Sequence, residues 1–149
     1  MSTSPLEVIE RAVVELLAAF DVERPPIPIE IMLQRPRNGM WREVNLSELS
    51  ISFIKLESPF SPRMAIARLL ARHACRSSWG TTRGLGTFAD DDTLVRAFAR
   101  ALLMPQNMMM VLPETGRSVQ AVSQRFEVPE ADAVLRLNEL GLSAANVEA

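Results

Sequence analysis

The chain has 149 residues, 48% of them apolar and 23% charged, with a net charge of −2 and a single cysteine, Cys75. No apolar run approaches the ~20 residues of a membrane helix, near-neutrality argues against a general polyanion binder, and one cysteine excludes an internal disulfide. The length fits one domain over residues 1–149, and "MSTSPLEVIERAV" lacks the basic start and apolar centre of a secretion signal, so a cytoplasmic chain free of membrane is expected.

The first element is the clearest. In "SPLEVIERAVVELLAAF", Ser4 is placed to cap a helix, Pro5 takes its first position and Glu7 completes a capping box. Leu6, Ile9, Val13, Leu16, Leu17 and Phe20 keep helical spacing. Pro25, Pro26, Pro28 and Pro36 then leave room only for a short helix over Ile29–Gln34. After the Asn38-Gly39 turn signal, "MWREVNL" and "LSISFIKL" read as strands, the second alternating Leu49, Ile51 and Phe53 before Leu56. A small antiparallel sheet is expected there.

Ser61 as cap and Pro62 at the first position begin a helix that runs to Arg76. "SSWGTTRGLGTFADDD" reads as a loop, and the acidic run Asp90 to Asp92 at its end suits the start of the next helix, which continues through "TLVRAFARALLM" to Pro105. Two helices close the chain: "SVQAVSQRF", capped by Ser118, and "PEADAVLRLNEL", begun by Pro129 and stopped by Gly141. No internal repeat is evident.

Charge is uneven along this series. Between Arg63 and Arg100 there are seven arginines against three aspartates, whereas the remainder holds nine basic and fifteen acidic residues. Arg68, Arg72 and Arg76 recur every fourth residue, which stacks three mutually repelling guanidinium groups on one helix face. A solvated surface face explains such a stripe as readily as a site does.

The order of elements, together with "AFARALLMP" at Ala97 to Pro105 and the closing "RFEVPEADAVLRLNELGL", resembles the ImmA/IrrE family of zincin-like metallopeptidases. The resemblance spans nearly the whole chain and implies an α+β fold, mostly helical, with a small antiparallel β-sheet of about three strands. It also implies that the helix after the sheet occupies the place of HExxH. There, two histidines four apart hold one zinc and the intervening glutamate acts as general base on zinc-bound water.

Aligned on Arg63 as the family's arginine, the five motif positions become Arg68, Leu69, Leu70, Ala71 and Arg72, and the third-ligand position, six residues before Phe98, becomes Asp92. Guanidinium offers no lone pair to a metal and Leu69 accepts no proton, so neither zinc nor zinc-dependent hydrolysis is expected, and no cofactor. His73 lies one residue past the second ligand position, turned ~100° around the helix, and reads as a packing residue. Cys75 reads as a small buried residue, and Met108 to Met110 as core or interface filler. Gly84-Leu85-Gly86 lacks the strand-turn-helix context of a phosphate loop.

At the positions that the resemblance makes the former metal site, Arg68 and Arg72 are expected to pair with Asp92 and with Asp91, replacing coordination by charge-assisted hydrogen bonds. Three functions follow. The resemblance implies a non-catalytic regulator that binds a protein, of repressor or antitoxin type, with the strand edge around Ser50 to Leu56 available for peptide addition. An anion or nucleic-acid module would use Arg63, Arg68, Arg72 and Arg76, joined by Arg83, Arg96 and Arg100. Against nucleic acid, Ser118 to Leu142 holds two arginines and four acidic residues. An active peptidase with an unorthodox site is the third.

Overall fold

A computed structural model describes residues 4–44 and 60–142 of the chain. Helix α1, Pro5–Ala19, opens with the reciprocal cap read from the sequence: the Glu7 amide donates to Ser4 Oγ at 3.2 Å and the Ser4 amide to Glu7 Oε1 at 3.1 Å. Its buried stripe is Ile9, Ala12, Val13, Leu16 and Leu17, the i, i+3, i+4 pattern that turns one face to the core. Helix α2, Ile29–Gln34, buries Ile29, Met32 and Leu33.

The expected sheet is corrected. The described residues form helices and contain no strand, so they are an all-helical assembly rather than an α+β one. The described part of the first expected strand, Met40 to Val44, has no ladder partner among the described residues. Its start is tied down by two bonds: Trp41, 6% exposed, donates its indole N–H to the Leu33 carbonyl at 3.0 Å, and the preceding Gly39 carbonyl accepts from the Trp79 amide at 2.8 Å. A buried indole satisfied by a helix-end carbonyl makes this segment a tie between helices. The second expected strand, Leu49 to Leu56, and with it the Ser50 to Leu56 edge, lies outside the described residues.

Helix α3, Ser61–Arg76, is the centre of the molecule, and Ala67, Leu70, Ala71, Ala74 and Cys75 on it are fully buried. It packs most extensively on α5, Asp92–Leu103, which also covers α1. Alanines on both helices, Ala67, Ala71 and Ala74 on one and Ala97, Ala99 and Ala101 on the other, keep side chains short and the axes close. The stretch between them, expected as loop, is ordered into helix α4, Ser78–Thr81, and a 3-10 turn over Gly86–Asp90. Ser77 caps α4, accepting from the Gly80 amide at 3.1 Å and donating to the Ala74 carbonyl at 2.7 Å.

The chain ends in α6, Gln106–Met110, then α7, Val119–Phe126, and α8, Glu130–Glu139. Glu127, at φ 58°, turns α7 into α8, and the Ser123 hydroxyl donates to the Val128 carbonyl at 2.6 Å across that turn. Val122, Phe126, Val128, Ala133 and Leu137 bury the pair, and α8 rests on α5. Among the described residues, no helix is long and apolar enough to cross a membrane.

Candidate functional site

The arginine face of α3 is not bulk surface. Arg68, Leu69 and Arg72 line a cleft of about 440 Å³ together with Ser61, Met64 and Ala65 of the same helix, Asp92 and Arg96 of α5, and Pro129, Ala131 and Asp132 at the start of α8. The four positions expected at a former metal site, Arg68, Leu69, Arg72 and Asp92, therefore share one concavity. Leu69 is half-buried and gives the wall an apolar stretch.

Asp92 sits at the rim between two arginines. Arg72 Nη2 lies 3.4 Å from its Oδ1, and Arg96 Nε donates to its Oδ2 at 2.7 Å from one helical turn along. The hydrogen bond from Arg96, reinforced by the charges of Arg96, Arg72 and Arg68, holds the carboxyl below its ordinary range. With 63% of the Asp92 side chain exposed, this is a solvated pair, and of the two expected arginines it is Arg72, not Arg68, that reaches Asp92. Asp91 is also reassigned: its Oδ1 accepts from the Leu94 amide at 3.3 Å and caps α5.

Arg68 lies deeper. It is half-buried and, among the described residues, makes no hydrogen bond and no ion pair within 4 Å. Burial, followed by repulsion from Arg96, pulls its pKa down, while the charges of Asp132 and Asp92 oppose that shift. Asp132 is its mirror image, a half-buried carboxyl pushed up by burial and held back chiefly by Arg68. Sequence reading missed Asp132 as a site residue, because nothing in the local pattern of α8 tells which first-turn carboxylate faces a helix more than fifty residues earlier.

The remaining candidates disperse. Arg63 is spent inside the fold, donating to the carbonyls of Ile27 at 3.0 Å and Glu127 at 3.1 Å, with Glu30 3.5 Å away. Arg76 is exposed and loosely paired with Asp90 at 3.8 Å. Arg83 stacks on Trp79 with its guanidinium carbon 4.5 Å from the ring centroid and bonds Glu15 at 2.8 Å, and Arg100 is bound to Glu139 at 2.5 Å. His73 is half-buried, its pKa lowered by burial and then by Arg76 and Arg72. Cys75 is fully buried, its thiol pushed up to about 12. Met108 and Met109 are core, while Met110 is 42% exposed.

A zinc site fits this donor set poorly. Among the described residues no three of His, Cys, Asp and Glu gather where an ion could be held, and the two carboxylates of the cleft are interleaved with three fixed cations. Its chemistry is that of ion pairing. No protein-family model matches the chain, and no curated protein and no solved structure matches it.

Proposed function

We propose that this chain is a non-catalytic relative of the ImmA/IrrE metallopeptidases, acting as a regulatory binding module whose α3–α5–α8 cleft takes an anionic group of a protein partner of repressor or antitoxin type. The observation that carries the reading is the convergence of Arg68, Leu69, Arg72 and Asp92, which the alignment with HExxH singles out, on the wall of one cleft. At those positions guanidinium and isobutyl groups stand where ligation and base catalysis need lone pairs, so the residues in place of HExxH supply neither a metal ligand nor its general base.

Nucleic acid suits it less well. Of the seven arginines, Arg63, Arg83 and Arg100 are engaged within the fold, which breaks the positive island into separate pieces, and Asp92 and Asp132 stand in the path of a phosphate chain.

A photo-crosslinking amino acid placed at Leu69 in the native host tests the reading. A discrete protein adduct is the expected product. Nucleic-acid adducts alone, or stoichiometric zinc in the purified chain, would overturn it.

A further inference from the structure

We infer that the cleft is a site for one carboxylate flanked by apolar surface, seated on Arg68, and that Asp92 is the built-in competitor for it. The inference rests on the non-catalytic reading of the same cleft and names the chemistry of what enters it.

Counting the walls gives the charge of the ligand. Arg68, Arg72 and Arg96 face Asp92 and Asp132, which leaves one positive charge in excess. That surplus is located by the hydrogen bonds: Asp92 engages Arg72 and Arg96, so the cation without a direct partner among the described residues is Arg68. A half-buried guanidinium has lost part of its hydration, and its five N–H donors match the two oxygens of a carboxylate in a bidentate pair. A dianion or a polyphosphate would be opposed by both aspartates.

The walls also limit what accompanies the charge. Met64, Leu69, Pro129 and Ala131 put apolar surface beside Arg68, and about 440 Å³ falls within the range of small-ligand pockets, enough for a carboxylate and a neighbouring aliphatic side chain. An acidic residue beside an apolar one in a peptide has that shape, as does a short free aliphatic acid. At the mouth, the negative charge of Asp92 repels an incoming anion and holds the two outer arginines that would help to receive it.

The test uses the full chain with its arginine side chains followed by NMR, titrated with hexanoate, with hexan-1-ol, with inorganic phosphate, and with a capped tripeptide of glutamate between two leucines or its glutamine counterpart. Saturable shifts at the Arg68 guanidinium are expected with a carboxylate and not with the alcohol, the glutamine peptide or phosphate. Tighter binding of the peptide assigns the carboxylate to a polypeptide, and tighter binding of hexanoate assigns it to a free acid. Asp92→Asn should tighten binding roughly two- to fivefold, the size of a solvent-exposed charge interaction. Arg68→Gln should abolish it without lowering the melting temperature, since no hydrogen bond is lost and the repulsion from Arg96 is relieved.

Absence of saturable binding by both carboxylates, equal binding by R68Q, or no gain in D92N would overturn the inference. Those failures leave the non-catalytic reading standing, because stoichiometric zinc in the purified chain is what removes that.

Discussion

Arg136 presents its two terminal nitrogens to the two carboxylate oxygens of Glu10, 126 positions earlier, at 2.6 and 2.8 Å. The arginine is wholly buried and the carboxylate nearly so, at 0% and 12% exposure. Its remaining donor, Nε, reaches the Met104 carbonyl at the end of α5 at 2.9 Å, so one side chain of α8 fastens α1 and α5 together. Glu139, one turn on, binds Arg100 and extends the network. Taking both charges out of water makes the pair a weak source of net stability, but removing one partner leaves the other buried and unpaired. Arg136→Met should therefore cost about 3–5 kcal/mol. The double variant, with Glu10→Leu as well, should recover much of that loss, both read from urea unfolding midpoints at constant m-value.

Gly80 is a second point where one atom decides the packing. A Cβ there would stand 2.1 Å from the Ala74 carbonyl oxygen and 2.7 Å from that of Cys75, both rigid backbone at the end of α3. Nothing flexible is available to move. Gly80→Ala should lower stability by roughly 1–3 kcal/mol, the cost of overpacking a filled site. Calorimetric melting of the single variant checks it, and an unchanged transition would show that α4 can shift away from α3.

Local signals explain what the sequence disclosed. The α1 capping box, the Ile29–Gln34 helix between prolines and the Ser118 cap depend on neighbours within four residues, and each is found where its pattern puts it. Met40 to Val44 misled because Trp41 and Val44 after a turn signal suggest extended chain without specifying a partner strand, and Trp41 docks instead. Arg68, Arg72 and Asp92 line one cleft, which periodicity does not encode, since the spacing of the arginines suits an exposed face equally. The depth difference between Arg68 and Asp92, the approach of Asp132, and the Glu10–Arg136 pair all depend on contacts distant in sequence, and no spacing encodes them.

Cys75 offers a probe of global opening. It lies at full burial on the central helix, and burial raises its thiol to about 12 despite the opposing pull of Arg72 and Arg76. Thiolate is the reactive form, so at pH 8 the folded chain should react with an aromatic disulfide reagent only through opened states. Its labelling rate should rise with urea in parallel with the unfolded population. A rate in native buffer near that of an unfolded peptide would show that α3 opens locally at that point.

The acid side of the stability profile should carry the mark of His73. Burial, then Arg76 and Arg72, lower its pKa in the folded chain below the ordinary 6.5. Below 6.5 the unfolded chain takes up a proton that the folded chain resists, so unfolding gains protons and stability falls as pH drops; the loss is complete once the folded-state pKa has been passed. Above 6.5 both states are neutral and this contribution is flat. Asp132 acts in the opposite direction and lower on the scale. Its raised pKa makes the folded chain bind a proton first, which adds stability as pH falls toward the ordinary 3.8. His73→Gln should therefore flatten the slope of unfolding free energy just below pH 6.5 and leave the region above it unchanged, as read from denaturant titrations at intervals of pH. Half-burial keeps the effect modest, since solvent screens both neighbouring arginines. A variant whose slope matched the parent would place the His73 imidazole in ordinary solvent, beyond the field of Arg72 and Arg76.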